Sequence, residues 1–544
     1  MADALVPSAG VTVAVWRQRR PLALATLCTV LFLTFLDTTI VSVALANIQT
    51  ELHAGVTALQ WVVGAYALTF ASAMLIFGMI GDQFGRKKVM AIGVGVYCFG
   101  ALMCALAQNI APTAALPFLL AGRGVMGLGA AASEPGTLSM LRHLYEEERS
   151  RNRALGVWAA VSGLSLALGP VLGGALVGVY NWHAIFWFDV TFGLAALVAT
   201  VIFLPENADP DARRVDVTGG IFGAGALATL IFAVIDAEQA GFNSPGVLAL
   251  LCISAVSAGA FLWWEARAAH PLLDLRFLRV ARFATPNIVA FCTYFSTFAV
   301  FFFTALYLVE VAGFTSYQIA EVFLPMTALM VTASLLAGRW TSVIGVRWVL
   351  VAGCTTFAGG MLLTNAIISP NPSFLPMAVA LALTGIGIGT CVVPITSSVL
   401  AAVPAERSGM AASATNTSRE VGAVIGVAVL GALVYGRLHT ELTARLNHLG
   451  IPAALQSVVI QGVETGAVPS NGNTSSQGPA NEGKLIQEVI HAAYAAFQSG
   501  LHVALFLSSG LMLGVAVLAL ITLRDAPVAA EPQPGAPAAG IQAA

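Results

Sequence analysis

The chain has 544 residues, of which 58% are hydrophobic and only 10% are charged, and its formal net charge is −2. Soluble domains carry roughly 25% charged residues, so this chain has too little charge to cover a water-facing surface. The composition therefore excludes a soluble globular protein and predicts an all-α protein that crosses a membrane many times.

Apolar runs long enough to cross a bilayer as helices recur along the chain and are separated by short polar turns. We predict about fourteen transmembrane helices, near residues 22–45, 58–81, 89–108, 114–140, 154–178, 183–204, 217–236, 246–264, 284–308, 319–341, 348–368, 374–401, 412–436 and 501–523. The first run has no clean small-residue cleavage site, so we interpret it as a retained helix and not as a signal peptide.

Lysine and arginine residues are unevenly distributed between the loops. Every second loop carries them, beginning with residues 86–88, whereas the intervening short loops carry none. By the positive-inside rule, the basic loops and both termini are cytoplasmic. The exception is the outer loop 437–500, which carries basic residues, but long loops are translocated largely regardless of charge.

The first predicted span carries one ionisable residue, Asp37, near its middle. A charged side chain at the bilayer centre costs about 2.5–3.5 kcal/mol or more, so it is retained where it faces protein or water. Such a carboxyl group can switch its protonation when its surroundings change. Asp37 is therefore either a proton-coupling residue of a transporter or a structural carboxylate bonded to a neighbouring helix.

The turn between the second and third spans reads GMIGDQFGRKK over residues 78–88. Its glycines permit a tight turn and close helix approach, and its acid can cap a helix and pair with a basic side chain. The turn resembles the loop signature of the major facilitator superfamily, where it is a conformational latch between two helix bundles. The resemblance implies a gating role for five residues: Gly78, Asp82, Gly85, Arg86 and Lys87.

The fourth span carries Arg123 within a glycine-rich run. The run contains a GxGxxG pattern, but no strand precedes it and it lies within a membrane helix, so we reject a nucleotide site. A mid-helix arginine needs a partner, and a rise of 1.5 Å per residue places Arg123 at a depth similar to that of Asp37. The run is similar to the family's R-x-x-x-G-x-G motif, whose arginine is linked to proton transfer; a structural salt bridge is the alternative.

Glu134, further along the fourth span, stands where efflux members of the family usually have an apolar residue. We interpret it as a second proton site, as a contact for a cationic substrate or as a water-exposed acid in an inner cavity.

The fifth span contains a glycine-proline run that bends a helix and admits a neighbouring backbone. The run resembles the antiporter signature of the superfamily, which occurs in exporters and not in sugar symporters. Residues 36–45 and 413–422 likewise resemble motifs of the fourteen-span drug:proton antiporters, and the resemblance extends to Arg524. A kinked structural helix is the competing interpretation of this run, whose motif residues are Gly163, Gly169, Pro170, Gly173 and Gly174.

Three further residues are weaker candidates for substrate contacts. Asp189 lies in the outer part of the sixth span, where relatives commonly have asparagine, and Glu310 closes the ninth span. Tyr294 belongs to an aromatic cluster that could line an apolar binding site or face lipid.

Enzyme and metal signatures are absent from the sequence. No lysine is followed by serine or threonine, so there is no Walker A motif, and there is no HExxH or CxxC pattern. We therefore expect no enzymatic activity, no cofactor and no metal.

The resemblance implies the domain organisation: two six-helix bundles with two inserted spans. The expected segments are a cytoplasmic N-terminus (1–21), an N-terminal bundle (22–204), two extra spans with cytoplasmic linkers (205–283), a C-terminal bundle (284–523) that includes the outer loop 437–500, and a disordered cytoplasmic tail (524–544). A weaker repeat of the loop motif at 338–347, which lacks the acid, sits where an internal repeat predicts it.

Together, these features predict a proton-coupled exporter of hydrophobic or cationic drugs or natural products in the bacterial inner membrane. Its bundles would alternate access around a midplane cavity, with water within reach of Asp37 in at least one state. The expected partners are a small-molecule substrate, the proton and lipid, with a periplasmic adaptor as an optional addition and no nucleic acid. The alternatives are a proton symporter that imports a solute, against which the glycine-proline run argues, and a membrane sensor without transport.

Overall fold

The structure is a computed structural model in which all regular structure of the described residues is helical. The all-helical, polytopic fold class is thereby confirmed. The described residues are 9–52, 54, 56–206, 216–241, 243–269, 271–314, 316–369, 372–404, 407–449, 451–452, 455–457, 459 and 480–523.

Most consecutive helices within each half are joined by short turns, as expected for antiparallel membrane helices. The first half contains α1 (Ala9–Ile40), α2 (Leu45–Leu52), α3 (Val56–Phe84), α4 (Arg86–Leu106), α5 (Pro112–Leu144), α6 (Glu148–Val179) and α7 (His183–Phe203). The middle contains α8 (Val217–Ala240) and α9 (Pro245–Glu265). The second half contains α10 (Ala281–Phe298), α11 (Thr304–Glu310), α12 (Ser316–Ile344), α13 (Val346–Ile367), α14 (Phe374–Ala401), α15 (Ser408–His448) and α16 (Ala480–Thr522).

Every predicted span falls on a helix, but the count of about fourteen crossings is not confirmed. Among the described residues, 12 helices are long and apolar enough to cross a membrane. A thirteenth candidate is α3, which is bent by 52° between residues 61–74 and 76–84. The helix α6 is not among these candidates, so fourteen crossings stay a prediction.

Two helices extend into the predicted outer loop 437–500, whose bounds stay a prediction. Helix α15 continues to His448, and α16 begins at Ala480. The extensions pack against each other, because leucines spaced four residues apart on α15 share a buried core with small and aromatic residues of α16. These buried residues are Leu438, Leu442, Leu446, Ala492, Ala493, Ala496 and Phe497. The central part of the loop and the tail 524–544 lie outside the described residues.

Two large apolar cores organise the molecule. One is formed mainly by side chains of α1 to α7, and the other by side chains of α10 to α16. Helices α8 and α9 pack on each other, and α8 contacts both α3 and α15. The two halves therefore have separate interiors, with the inserted pair lying against their boundary.

The halves repeat the same close helix contacts. A Cβ atom added to Gly129 on α5 would lie 2.3 Å from the backbone nitrogen of Tyr97 on α4, and one added to Gly387 on α14 would lie 2.3 Å from that of Phe357 on α13. Gly85 and Gly345, which precede α4 and α13, both have positive φ, at 106° and 93°. Both turns thus use the conformational freedom of glycine to reverse the chain between long helices.

We predict that Gly387→Ala destabilises the protein by about 1–3 kcal/mol, because the new methyl group overlaps the α13 backbone and forces the helices apart. Gly359→Ala is the matched control, since its nearest neighbour is 4.0 Å away. Thermal unfolding of the purified protein in detergent, followed by tryptophan fluorescence, measures both variants. Equal melting temperatures for the two would contradict the packing account.

Candidate functional site

A buried ion pair joins α1 to α5. Arg123 Nη1 donates hydrogen bonds to Asp37 Oδ1 and Oδ2 at 2.6 and 2.7 Å. The same guanidinium donates through Nε to the backbone oxygen of Val62 on α3, at 2.8 Å. The pairing expected from helix depth is therefore present, and three helices of the first half converge on one arginine.

Tyr66 supports this arginine from a third side. Its ring centroid lies 4.7 Å from Cζ of Arg123, a distance suited to a cation–π interaction. Its hydroxyl donates to the backbone oxygen of Thr34, 3.1 Å away on α1. Gly127 lets α5 approach this closely, because a Cβ there would lie 2.4 Å from the Tyr66 carbonyl oxygen.

The pair is completely enclosed. Asp37 and Arg123 are each 0% exposed, so neither side chain reaches water in this conformation. Access of water to Asp37 in another conformation stays a prediction. Ionised groups in a low-dielectric interior are strongly destabilised when separated, and this enclosure therefore holds the two helices together.

The turn between α3 and α4 joins the two halves at one face of the molecule. Arg86 donates from Nε and Nη2 to Asp82 Oδ1, at 2.9 and 2.8 Å, and from Nη2 to Ser408 Oγ, at 3.0 Å. The backbone amides of Gly409 and Met410 also donate to the Asp82 carboxylate. Because Ser408 begins α15, the carboxylate sits at a helix N-terminus, where the backbone dipole favours negative charge.

Further contacts strengthen this connection, which we call the latch (Asp82, Arg86, Ser139 and residues 408–410). Ser139 and Ser408 share a hydrogen bond of 3.0 Å, and Arg142 donates to the Val403 oxygen at 2.9 Å. Gly78 lies directly against Ser413, and Gly409 directly against Asp82, with no room for a Cβ at either position. Lys87 is partly exposed.

A second connection at the same face involves the linker between α9 and α10. Asp274 accepts hydrogen bonds from Arg276 and from Arg407, the residue that precedes α15. The bonds from Arg276, and then that from Arg407, hold the pKa of the Asp274 carboxyl group well below its usual range. The carboxylate therefore stays charged throughout the neutral range and anchors the linker beside the latch.

Helix α6 contacts both halves of the molecule. A Cβ added to Gly173 would lie 2.7 Å from the Ile40 oxygen at the end of α1, and Gly169 lies directly against Thr39. Closer to the start of the helix, a Cβ added to Gly163 would lie 2.4 Å from Met330 Cε on α12. The glycine run thus packs against the end of the Asp37 helix, while α6 also touches the second half. Pro170 and Gly174 lie within this helix, and the Pro170 side chain is outside the described side chains.

A second charged cluster lies where the two halves meet. Glu134 on α5 is 1% exposed and interacts electrostatically with Arg419 and Glu420 on α15. Arg419 lies between the rings of Trp158 and Tyr294, with Cζ 5.3 and 5.6 Å from their centroids. Glu134 Oε2 has no hydrogen-bond partner among the described residues. The cluster therefore holds two acids and one arginine between aromatic walls.

The sequence named only part of this cluster as site residues. Glu134 is a candidate proton site and Tyr294 a candidate substrate contact from the sequence, whereas Trp158, Arg419 and Glu420 are not identified individually. Two charged residues together inside the apolar run of α15 were the signal that could have found them, since such residues need partners. Thr396 Oγ1 and Asn416 Oδ1 accept hydrogen bonds from Arg419 at 2.7 and 3.2 Å.

The other two candidate substrate contacts are placed differently. Asp189 is 0% exposed and lies inside the first half, beside Tyr97 and near Asp37. It is not at the boundary between the halves. The Glu310 side chain lies outside the described side chains.

The comparisons with known proteins agree with this architecture. Residues 27–427 match the family model described as Major Facilitator Superfamily. The chain is 34% identical over 431 residues to the multidrug resistance protein Stp of Mycobacterium tuberculosis, covering 79% of this chain and 78% of that protein. It is 32% identical over 400 residues to the methylenomycin A resistance protein of Bacillus subtilis, covering 74% and 84%.

A solved structure supports the fold. The chain resembles the human organic anion transporter MFSD10 with a TM-score of 0.56, at 16% sequence identity. The match covers 92% of this chain and 99% of that one. At this identity the likeness establishes the helical architecture alone.

We predict that Asp82→Asn weakens the latch, because it removes the charge that accepts from Arg86 and from the first amides of α15. Hydrogen bonds to charged groups contribute about 1.5–3 kcal/mol each, so the open population at this face should rise roughly tenfold or more. Spin labels at Lys88→Cys and Ala401→Cys, in a Cys252→Ser background, report the separation of α4 and α14 by electron–electron resonance.

Glu148→Gln is the control for this measurement, because it removes an exposed acid at the same face. Superimposable distance distributions for Asp82→Asn and the control would contradict the latch role.

Proposed function

The chain belongs to the Major Facilitator Superfamily, and from this premise we propose that it exports drugs or natural products in exchange for protons. The observation that carries the proposal is the buried Asp37–Arg123 pair, since an enclosed ion pair in a membrane helix bundle marks a proton or ion pathway. Relatives named for multidrug resistance and methylenomycin A resistance support a drug-like substrate. The glycine-proline run of α6, similar to the antiporter signature, supports export.

The orientation follows from the charge pattern. We assign the face that carries the latch, with its basic loops, to the cytoplasm of a bacterial cell, and both termini to the same side. With the latch made, the path from the cytoplasm is closed in this conformation.

Proton uptake at Asp37 is the proposed coupling step. A proton that binds the carboxylate removes its charge and the two charge-assisted hydrogen bonds from Arg123. Helix α1 then loses its strongest tie to α5. Because Gly173 packs against Ile40, movement of α1 passes to α6, which contacts α12 of the other half. Proton release to the cytoplasm restores the pair.

The cluster at the boundary of the halves is the proposed substrate contact. With Glu134 and Glu420 both ionised and Arg419 charged, it carries one uncompensated negative charge. One proton or one cationic substrate group neutralises it, so the two compete for the same place. Trp158 and Tyr294, which already flank a planar guanidinium, offer aromatic faces to such a cation.

We predict that Asp37→Asn abolishes transport driven by a proton gradient, because the amide cannot carry the proton or the charge that Arg123 requires. Everted membrane vesicles acidified inside, with ethidium as the fluorescent probe, should show accumulation in the wild type and only background in this variant. Asp236→Asn, which changes a partly exposed acid of α8, should retain transport. Gradient-driven accumulation at the wild-type rate in Asp37→Asn would refute the assignment, and ethidium movement in the opposite direction would indicate an importer.

We predict that Glu134→Gln reduces transport of the cation ethidium more strongly than transport of neutral chloramphenicol. The substitution keeps the shape of the side chain but removes the negative charge that faces Arg419 and Glu420. Opposite charges in a desolvated site contribute about 1.4 kcal/mol or more, which corresponds to a tenfold loss. An equal loss for both probes, measured in the same vesicles, would argue against charge recognition at this cluster.

A further inference from the structure

We propose that Asp189 is a second proton-binding residue of the Asp37–Arg123 site, and that the two carboxyl groups share one proton. The inference rests on the proposed role of Asp37 in proton coupling. Under this proposal Asp189 takes part in proton transfer and not in substrate contact.

The register of α1 and α7 places the two acids side by side. A Cβ added to Gly193 on α7 would lie 3.9 Å from Leu33 Cδ1 on α1, and the neighbouring rings of Phe32 and Phe192 have centroids 5.7 Å apart. The two helices run in opposite directions. Asp37 lies one turn after Leu33 on α1, and Asp189 lies one turn before Gly193 on α7. Because the helices are antiparallel, both acids lie on the same side of the Leu33–Gly193 contact and at the same level.

The surroundings of the two carboxyl groups differ in the hydrogen bonds that they provide. Asp37 receives two hydrogen bonds from Arg123. Asp189 is equally buried, at 0% exposure, yet neither of its oxygens has a hydrogen bond of good geometry among the described residues. The Tyr97 hydroxyl is the one hydrogen-bond donor that interacts with Asp189 among the described residues. A single neutral hydroxyl does not compensate an ionised carboxylate in such a place, and the charged form is strongly disfavoured there. We therefore infer that Asp189 holds a proton in this conformation.

Charge balance leads to the same result. Among the described residues, α6 brings no titratable side chain near Asp189, and Arg123 is the one cation in its vicinity. The other titratable groups that interact with it, from α1 and α4, are Asp37, Tyr97, Cys98 and Cys104. Two acids and one guanidinium are neutral together when they hold one proton, since the tyrosine and thiols are neutral.

An exchange between the acids follows from this balance. When Asp37 takes up a proton, Arg123 loses its counter-ion, and a lone guanidinium in a low-dielectric interior is strongly unfavourable. Asp189 removes this obstacle by releasing its own proton and becoming the new counter-ion. One proton has then entered at Asp37 and one has left at Asp189. The negative charge has moved from α1 to α7, and the buried net charge is unchanged.

Infrared difference spectroscopy on the purified full-length protein tests the protonation directly. At neutral pH the wild-type spectrum should contain a carbonyl band of a protonated carboxyl group that is lost in Asp189→Asn, whereas any such band from Glu134 or Glu420 should remain. The band lost in Asp189→Asn should also be lost in Asp37→Asn, because Asp189 then becomes the counter-ion of Arg123 and ionises. Thr200→Val is the matched control, since Thr200 is a buried residue of α7 whose hydroxyl is also unpaired. The shared proton is overturned if Asp189→Asn loses no carbonyl band, or if the band that it loses persists in Asp37→Asn.

Vesicle transport of ethidium tests the consequence for coupling. Without Asp189, protonation of Asp37 creates a buried net positive charge. The pH profile of Asp189→Asn should therefore shift to lower pH by about one unit or more, whereas Thr200→Val should match the wild type. If the pH profile of Asp189→Asn is unshifted while Asp37→Asn is uncoupled, the role of Asp189 is overturned and the proposed function is not. Retained coupling in Asp37→Asn overturns the proposed function and the shared proton together.

Discussion

The structure depends on satisfying one guanidinium that has no access to water. Arg123 receives a carboxylate from α1, a backbone oxygen from α3 and the face of a tyrosine ring. In a low-dielectric interior each of these contacts is strong, and the loss of any one leaves charge uncompensated. The relative positions of α1, α3 and α5 therefore follow from the requirements of a single side chain. A proton that binds Asp37 removes one of these contacts and can thereby change the positions of the helices.

Two further charged sites lie at the boundary between the halves, and they differ in character. At the latch, the Asp82 carboxylate meets a cation and a helix N-terminus, so its charge is fully compensated. In the central cluster, two acids share one arginine, so the charge is incomplete. A fully compensated contact is suited to holding a conformation, whereas an incomplete one is suited to receiving a proton or a ligand. Helix α6 connects the proton site to this boundary.

The contacts between the two halves explain why Asp37 and Arg123 are enclosed in this conformation. Latch contacts draw α15 against α3 and α5, and glycines without room for a Cβ let the backbones approach. The same packing encloses Asp37. A buried acid that must exchange protons with water requires at least one other conformation, as alternating access supposes. Enclosure is thus a property of this state of the transporter, and the identity of the paired groups does not depend on it.

The sequence by itself determined the pairing of Asp37 with Arg123, because helix rise is constant and charged residues inside a bilayer need partners. It also determined the Asp82–Arg86 pair of the latch, whose two residues lie in one turn, but not the contacts of that pair with residues 408–410. It did not determine where Asp189 belongs or that Glu134 faces Arg419 and Glu420. These contacts join helices far apart in the chain, and the face that a helix turns inward is decided by packing against its neighbours. The depth of a residue in the membrane follows from its position along one helix, whereas the rotation of that helix about its axis is set only in the folded bundle.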